Sequence, residues 1–316
     1  MQLPVTFGVI GLGRWGRNYL KTLADIGMNV KWGCSTSEET IKSAVLYAKQ
    51  MPKTTMNYKD ILDDRQVEAV AIVTPGSTHY ALAKEALERN LHVIVEKPLA
   101  FEASKVEELF NLAKERKKVL MVSDIHYFNP GIAKLKTDMG RGVFGKVTFM
   151  NMVHGGAGPV RTDMNALWDY HPHSVSMILN VLEKKPLSVS ATGAQLISKG
   201  VEDIVTINMQ FKDSFAIATG TWLYPYKKME LVVSGSKMGA SYDDFGEAKL
   251  RYFTPDQTII QQFEPTLPLT NMLNHFVFSV QKKRIQEGRH TIAITKVLES
   301  AQKSLKSEGK VVEIKL

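Results

Sequence analysis

Val5-Thr-Phe-Gly-Val-Ile-Gly-Leu-Gly-Arg-Trp-Gly16 is an apolar run that leads into closely spaced glycines, and a helical pattern follows it. In this G-x-G-x-x-G order, the first glycine permits a tight turn, the second lets the backbone approach a pyrophosphate, and the third lets the helix pack closely on the strand. The N–H groups at the start of the helix then face the anion. The stretch therefore predicts a dinucleotide-binding turn. The residues assigned to the cofactor here are Gly11, Gly13, Arg14, Trp15 and Gly16.

Length and composition are those of a globular protein with room for two domains. The chain has 316 residues, 44% hydrophobic and 23% charged, and no apolar run approaches the roughly 18 residues of a membrane helix. The net charge of +8 comes from scattered basic residues, whereas nucleic-acid binding needs a continuous basic stripe. The single cysteine, Cys34, excludes an internal disulfide bond, and the first residues lack a signal-peptide pattern. We therefore expect a cytoplasmic protein that binds neither nucleic acid nor membrane.

Up to about residue 122, apolar strands alternate with helical segments. Such alternation predicts an α/β fold with a doubly wound parallel sheet of the Rossmann type, because parallel strands need crossover connections. The predicted strands are Val5–Ile10, Val30–Cys34, Val67–Thr74, His92–Val95 and Val119–Ser123. The predicted helices are Trp15–Ile26, Glu38–Gln50, His79–Arg89 and Glu102–Glu115.

After Pro130 the pattern changes to a series of strands, which is typical of an antiparallel sheet. The predicted elements are a helix over Ile132–Met139, strands over Lys146–His154, Leu187–Gly193, Ile204–Phe211, Phe215–Trp222, Glu230–Ser234 and Thr258–Gln262, and two closing helices. We expect a dinucleotide-binding domain over residues 1–122 and an α+β domain over residues 123–316 for substrate binding and oligomerisation. Because its open, mostly antiparallel sheet leaves one face to be covered, we expect a homodimer or homotetramer.

The end of the second predicted strand bears on the choice between NAD and NADP. An acid in this place usually holds the ribose hydroxyls, but here the hydroxyl residues Ser35 and Thr36 follow the strand. Hydroxyls accommodate a 2′-phosphate, and Arg14 is a cationic partner for it, so we favour NADP over NAD, with Ser35 and Thr36 in the site. Two alternatives stay open: Ser35 or Thr36 caps the next helix in a capping box, or Glu38 reaches the ribose.

Two further segments leave predicted strands at the edge where α/β sheets bind ligands. They are Thr-Pro-Gly-Ser-Thr-His over residues 74–79 and Glu-Lys-Pro-Leu-Ala over residues 96–100. With the glycine turn, His-Tyr-Phe-Asn-Pro over 126–130 and the turn over 140–145, they make the chain resemble the Gfo/Idh/MocA family of NAD(P)-dependent sugar and cyclitol dehydrogenases over essentially its whole length. The resemblance implies a cofactor site that also includes Thr74, Pro75, His79, Glu96 and Lys97.

Residues 168–174, Trp-Asp-Tyr-His-Pro-His-Ser, carry the second set of candidate residues. In the family that the chain resembles, an aspartate and a histidine four residues later face the nicotinamide and the substrate. Asp169 and His173 have this spacing, which puts both on one face of a helix. A histidine has an ordinary pKa near neutrality and suits the removal of a hydroxyl proton. The resemblance implies that Lys97 and His173 exchange this proton, and that Asp169 orients the substrate and His173.

A metal site is the alternative for the same segment. Asp169, His171 and His173 form a familiar ligand set of two histidines and a carboxylate. We expect no metal, because the alternation around Pro172 directs His171 away from the other two side chains. The helix itself is predicted to begin around Tyr170 or Pro172.

The loop over residues 155–163, Gly-Gly-Ala-Gly-Pro-Val-Arg-Thr-Asp, precedes the catalytic helix. Arg161 is a candidate for binding a carboxylate or phosphate, which favours a nucleotide-linked sugar or a uronate as substrate; the alternative is a surface arginine. His126 and Tyr127 are candidates for the border of the substrate pocket, with core packing as the alternative. We expect a dehydrogenase that acts on a CH–OH group of a sugar. The competing hypotheses are a non-catalytic NAD(P)-binding regulator and a reductase of an aromatic or dihydrodiol-type substrate.

Overall fold

The computed structural model describes residues 4–48, 52–158, 160–161 and 164–315, and the chain divides into two compact units. Unit 1 comprises Met1–Ile125 and Leu267–Ile292, and unit 2 comprises His126–Thr266 and Ala293–Leu316. The boundary predicted at residue 122 lies close to the first junction. The stretch Leu267–Ile292 differs from the prediction, because it belongs to unit 1 and not to the second domain.

Unit 1 contains a six-stranded sheet in which all strand pairs are parallel. Its strands are β1 (Thr6–Ile10), β2 (Asn29–Cys34), β3 (Lys53–Thr55), β4 (Ala69–Ile72), β5 (His92–Val95) and β6 (Leu120–Val122). The helices between them are α1 (Arg14–Asp25), α2 (Glu38–Val45), α3 (Lys59–Leu62), α4 (Gly76–Glu88) and α5 (Ala103–Glu115). The order β3-β2-β1-β4-β5-β6 confirms the predicted doubly wound fold. The direction in which successive strands are added to the sheet reverses between β1 and β4. The loops after these two strands therefore meet where such sheets bind ligands.

Short elements and element ends account for the differences from the prediction in unit 1. Strand β3 and helix α3 were not predicted, because three or four residues give no measurable period. Helix α4 begins at Gly76 with Pro75 as its N-cap, and not at His79; a proline before the first turn favours this earlier start, since its fixed φ suits the chain direction there. Helix α2 ends at Val45, and the predicted end at Gln50 lies outside the described residues.

Unit 2 is built on a nine-stranded sheet and the helix packed against it. In chain order the elements after β6 are α6 (Pro130–Gly140), β7 (Val147–Gly155), α7 (Ala166–Leu182), β8 (Ser188–Ala194), β9 (Ile204–Gln210), β10 (Phe215–Thr221), β11 (Lys228–Gly235), β12 (Gly239–Asp243), β13 (Leu250–Phe253), β14 (Thr258–Ile260), α8 (Pro268–Gln281), α9 (Arg289–Leu305) and β15 (Val312–Glu313). Helix α8 belongs to unit 1, where its Phe276 ring lies 5.9 Å from that of Phe7.

The sheet of unit 2 has the order β14-β13-β12-β11-β7-β10-β9-β8-β15. Only the β7–β10 pair is parallel among its described strand pairs, which confirms the predicted, mostly antiparallel sheet. Along β9, β10 and β11, buried and half-buried residues alternate. One face therefore packs inward, and the alternate residues of the other face are partly exposed.

Helix α7 covers part of the inward face, on β7 and β10. It begins at Ala166, so the predicted start around Tyr170 or Pro172 is wrong, and Pro172 lies inside the helix. The N-cap Asn165 explains the earlier start, since its side chain accepts the N–H of Trp168 and its amide donates to Glu202. These tertiary contacts offset the backbone hydrogen bond that a proline removes.

Candidate active site

The glycine turn after β1 has the backbone geometry that the motif predicts. Gly11 has a φ of +99°, which favours glycine, and a Cβ there would lie 2.3 Å from the carbonyl oxygen of Val73. A Cβ on Gly16 would lie 2.0 Å from the carbonyl oxygen of Gly11. Helix α1 therefore approaches the turn more closely than any larger residue allows. A Cβ on Gly13 would meet open space, so the turn is closed on one side and open at the helix N-terminus.

The start of α1 fits the pyrophosphate of a dinucleotide. Gly13 is its N-cap, no described side chain caps it, and its first turn contains no acidic residue. Arg14 and Trp15 are exposed beside it. Backbone N–H groups, the positive end of the helix dipole and the Arg14 guanidinium all favour an anion at this position. The residues of the turn therefore fit an NAD(P) cofactor.

The segment after β2 differs from one of the expected capping arrangements. The N-cap of α2 is Ser37, whose hydroxyl accepts the N–H of Thr40 at 3.2 Å, so the prediction that Ser35 or Thr36 caps this helix is wrong. An N-cap side chain accepts the N–H of the second or third helical residue, and among these three hydroxyl residues only Ser37 does so. Ser35 instead accepts the N–H of Ser37 at 3.3 Å, and Thr36 is exposed. Both hydroxyls stay candidates for the ribose or its phosphate.

His79 joins the segments that follow β4 and β5. Its ring is buried, with Nε2 2.7 Å from the carbonyl oxygen of Thr74 and Nδ1 2.8 Å from that of Pro98. A neutral imidazole has one N–H and serves one carbonyl, whereas the imidazolium donates to both. Both ring nitrogens therefore face the backbone, and His79 joins two segments, one of which contains Pro75.

Glu96 is fixed by two hydroxyl groups that sequence reasoning missed. Its Oε1 accepts the hydroxyl of Tyr19 at 2.9 Å and that of Ser123 at 2.7 Å. Burial, and then the nearby carboxylate, raise the pKa of Tyr19 well above its ordinary value, so its hydroxyl stays a donor. Lys97 follows Glu96, is half-buried, and precedes Pro98 in a cis peptide. No periodic signal in α1 distinguishes Tyr19 from an ordinary core residue.

Three histidine rings of unit 2 lie together at the start of α7. The ring centroid of His173 lies 4.7 Å from that of His126 and 5.9 Å from that of His154, and the latter two are 6.0 Å apart. The ring of Tyr170 lies 4.9 Å from that of His154. We name these three histidines the histidine cluster. The sequence predicted His126 and His173 as site residues and missed His154.

Asp169 and Arg161 form an ion pair beside this cluster. Asp169 precedes His173 by one helical turn, and its Oδ1 lies 3.6 Å from Nη1 of Arg161. Burial, and then the charge of Asp169, raise the pKa of Tyr170 to about 12, so this phenol stays neutral. In the glycine-rich loop that contains Arg161, the residues at 159, 162 and 163 lie outside the described residues. The pair joins two of the predicted substrate-binding side chains.

His171 is part of the core and not of this site. Its Nε2 donates to the carbonyl oxygen of Val205 at 3.0 Å, and burial lowers its pKa to about 4. A Cβ on Gly220 would lie 2.9 Å from that same nitrogen, so a glycine is needed for α7 to approach β10. The ligand set weighed from sequence, Asp169 with His171 and His173, thus loses one member. In the described part of the chain, no group of three His, Cys, Asp or Glu side chains has the arrangement to hold a metal ion.

Tyr127 adds little to the site. Its ring is 39% exposed, lies 5.4 Å from that of Phe128, and has Nζ of Lys136 5.9 Å from its centroid. These contacts are compatible with either the predicted pocket border or a surface role. Among the helices of the described residues, none is both long enough and apolar enough to span a membrane.

The doubly wound sheet, the glycine turn and the second α+β unit define a class of protein, the dinucleotide-dependent oxidoreductases. Two family models match the chain: "Oxidoreductase family, NAD-binding Rossmann fold" over residues 5–124, and "GFO/IDH/MocA C-terminal domain" over residues 132–241. The chain belongs to the Gfo/Idh/MocA family and is an oxidoreductase. Both the predicted family and the predicted enzyme class are therefore confirmed.

Three individual proteins are similar to this chain in sequence or in fold. The uncharacterized oxidoreductase YrbE of Bacillus subtilis (strain 168) is 25% identical over 270 residues, 81% of this chain and 79% of that protein. UDP-N-acetylglucosamine 3-dehydrogenase of Acidithiobacillus ferrooxidans is 27% identical over 192 residues, 60% of this chain and 58% of that enzyme, less than two thirds of its length. The crystal structure of GenD2 from gentamicin A biosynthesis, in complex with NAD, has a TM-score of 0.89 at 20% identity, covering 100% of this chain and 98% of GenD2; it supports the fold.

Proposed function

We propose that this oxidoreductase transfers a hydride between the nicotinamide of NAD(P) and a secondary alcohol or ketone carbon of a sugar. The observation that supports the proposal is that Lys97, Asp169 and His173, whose side chains suit proton transfer, occur together in a chain whose glycine turn also fits the cofactor. A protein that only senses NAD(P) has no use for such a set.

The proposed roles follow from the chemistry of each side chain. When bound, the nicotinamide supplies the hydride acceptor in the oxidation direction. The hydroxyl proton of the substrate passes to His173, whose ordinary pKa suits a base near neutral pH, and Lys97 is the second proposed acid–base group. Asp169 orients the hydroxyl and His173. Glu96, held by two hydroxyl donors, fixes the backbone next to Lys97.

An anionic sugar, nucleotide-linked or a uronate, is the substrate class that we propose. Arg161 carries a guanidinium fork that suits a carboxylate or phosphate, and it already lies 3.6 Å from the carboxylate of Asp169. The relative named UDP-N-acetylglucosamine 3-dehydrogenase supports a nucleotide sugar. With the Arg161→Ala variant, we expect KM for such a substrate to rise about tenfold or more with little change in kcat. Turnover of neutral polyols alone, unaffected by this variant, would exclude an anionic substrate.

NADP is the proposed cofactor in preference to NAD. The support is the pair of hydroxyl residues Ser35 and Thr36 after β2, where an acid that binds a ribose usually stands, and the exposed Arg14 in the glycine turn. Kd values for NADPH and NADH, measured by fluorescence on the wild type and on Arg14→Ala, test this choice. We expect the variant to weaken NADPH binding about tenfold and NADH binding much less. Equal losses for both cofactors would contradict the preference.

The central test of the proposed reaction is an activity assay with a panel of free and nucleotide-linked sugars. The absorbance of the reduced cofactor measures turnover. In Lys97→Ala and His173→Ala, we expect kcat to fall by about a hundredfold or more while the cofactor Kd changes little. Lys282→Ala, at an exposed position of unit 1 to which we assign no role in the reaction, is the matched control and keeps full activity. A protein that binds cofactor but turns over none of the sugars would instead be the regulator.

The last parts of the proposed function are the oligomeric state of the protein and its cellular compartment. We propose that copies of the chain form a homodimer or homotetramer through the half-exposed face of the unit 2 sheet, where Phe149, Val153, Phe215, Ile217 and Val232 alternate with buried residues. The buried free thiol of Cys34 is compatible with a reducing compartment, so we propose the cytoplasm, which subcellular fractionation tests.

A further inference from the structure

The histidine cluster brings together three of the eight histidines of the chain. Its members come from different parts of unit 2: His126 lies before α6, His154 near the end of β7, and His173 on α7. All three ring centroids lie within 6.0 Å of one another. The His126 ring meets each of the other two at nearly a right angle, 86° to His154 and 84° to His173.

Local sequence explains why these rings meet. On β7, Met150, Met152 and His154 are alternate residues on one side of the strand, and both methionines are fully buried against the core. Helix α7 packs on this strand, so His154 continues the inward side at the end of the strand. His126 is only 8% exposed. The cluster is therefore held by packing and does not depend on flexible side chains.

Electrostatics limits how many protons such a cluster holds. Two protonated imidazoles about 5 Å apart repel each other enough to disfavour the doubly charged state by a factor on the order of a hundred, at the effective dielectric constant typical of proteins. A second proton then binds at markedly lower pH than the first. The three rings are in this respect one coupled group with macroscopic titration steps.

Other charged and titratable groups lie on the elements around His173. On its own helix, Asp169 lies one turn earlier and is paired with Arg161, and Tyr170 stays neutral against His154 because its pKa is raised to about 12. On β10, Gly220 approaches α7 without a side chain. Lys136 of α6 donates to Asn180, near the other end of α7. The two neighbouring imidazoles are thus titratable groups that His173 meets at ring-contact distance.

We infer that His126, His154 and His173 share a single proton near neutral pH, and that His126 and His154 are positioning residues that set the protonation of His173. This inference rests on the proposed function only for its catalytic consequence. In alcohol oxidation the substrate C–H bond gives its electron pair as hydride to the cofactor, and the O–H proton goes to His173. A proton already on a neighbouring ring disfavours this transfer, because it would create the doubly charged state.

The direct test is an NMR titration of the histidine ring C–H signals in the full chain without substrate. The His173 signal is assigned by its loss in His173→Gln. In the wild type we expect its titration to extend over about two pH units or more in separate steps. In the double variant His126→Gln/His154→Gln, we expect a single step with a midpoint about one pH unit higher. The single variant His154→Gln gives an intermediate curve, and carries the test if the double variant does not fold.

His275→Gln, on α8 of unit 1, is the matched control and leaves the His173 curve unchanged. A single-step His173 curve in the wild type, or one that neither cluster variant alters, overturns the inference. The fall of kcat/KM for alcohol oxidation at acid pH should change in parallel. In the wild type we expect this fall to extend over several ionisation steps, and in the double variant to follow a single ionisation. A coupled titration in a protein that turns over no sugar would overturn the proposed function and leave the shared proton intact.

Discussion

At the residue scale, buried polar side chains fix the segments that follow β4 and β5. Glu96 accepts two hydroxyl groups, and His79 faces two backbone carbonyls. A buried carbonyl that loses its donor costs about 1–3 kcal/mol, so each of these side chains stabilises a backbone conformation that its neighbours need. Lys97 and Thr74 lie in the segments held in this way.

Removing the His79 ring should loosen both segments at once. In His79→Ala, at least one of the two carbonyls loses its donor and a cavity opens, and we expect the free energy of unfolding to fall by about 2–4 kcal/mol. We also expect the NADH Kd, measured by fluorescence, to rise about tenfold. Tyr80→Phe, on the same helix, removes only a hydroxyl that donates to Glu108 and serves as control. An unchanged Kd in a less stable protein would limit His79 to a role in stability.

The buried residue His171 should make the free energy of unfolding depend on pH. Burial lowers its pKa to about 4 in the folded chain, against about 6.5 when unfolded, so below pH 6.5 the unfolded state binds more protons. The stabilisation by neutral His171 is therefore complete above pH 6.5 and is lost as the pH falls towards 4. We expect this group to lower the free energy of unfolding by about 2 kcal/mol between pH 7 and pH 5.

Urea unfolding at the two pH values measures this effect. In His171→Gln the loss between pH 7 and pH 5 should be smaller by about the same 2 kcal/mol, whatever the variant costs at pH 7. Ser174→Ala, at a buried position of the same helix that carries no titratable group, should keep the wild-type difference. Identical pH dependence in wild type and His171→Gln would contradict the assignment.

At the element scale, helix α7 owes its position to its cap and to one glycine of the sheet. Asn165 caps the helix and is bonded to Glu202 and Gln302, and Gly220 lets the helix approach β10. Since Asp169 and His173 lie in the first two turns, a helix that frays or shifts there displaces both side chains.

Asn165→Ala should therefore reduce both stability and activity. We expect a loss of about 1–2 kcal/mol in the free energy of unfolding from the missing cap, together with a fall in kcat of about tenfold. Asn57→Ala provides the comparison, because Asn57 accepts the N–H of Lys59 at the start of α3 in unit 1, far along the chain from the proton-transfer residues. The measurements are thermal unfolding and steady-state kinetics. Equal kinetic effects of the two variants would contradict a role for the α7 cap in positioning the site.

Elements with a long, regular pattern were predictable from the sequence, and elements fixed by tertiary contacts were not. The strand His92–Val95 is short, but it was predicted with its observed bounds because its apolar residues Val93, Ile94 and Val95 end at the charged Glu96. The start of α7 was missed because Pro172 suggests a first turn, whereas Asn165 and its partners extend the helix backwards. His154 was missed because a single histidine at a strand end has no local signal for the two rings that α7 and the segment before α6 bring to it.

At the scale of the whole molecule, the half-exposed face of the unit 2 sheet is the feature with the clearest consequence. Ile217 lies on this face, opposite Asn151 of β7 and Asn208 of β9, among other partly exposed apolar residues. A charge there would be buried without a partner in any assembly that covers this face.

Ile217→Asp should therefore separate the assembly into monomers, as measured by light scattering after size-exclusion chromatography. Leu46→Asp, at a position of unit 1 that is 84% exposed, is the control and should keep the wild-type mass. If the wild type is already a monomer, or if Ile217→Asp keeps the mass of the wild-type assembly, this face is not the interface.

The path of the chain between the units limits how the protein can be divided. The polypeptide leaves unit 1 after Ile125, returns at Leu267, and leaves again after Ile292, and the returning helix brings the Phe276 ring to within 5.9 Å of Phe7 in the first strand. A fragment truncated at Ile125 would expose Phe7 to water and lose the helix that covers it. The nucleotide-binding half is thus completed only after the other half has been synthesised, so the two cannot be exchanged between relatives by a single crossover.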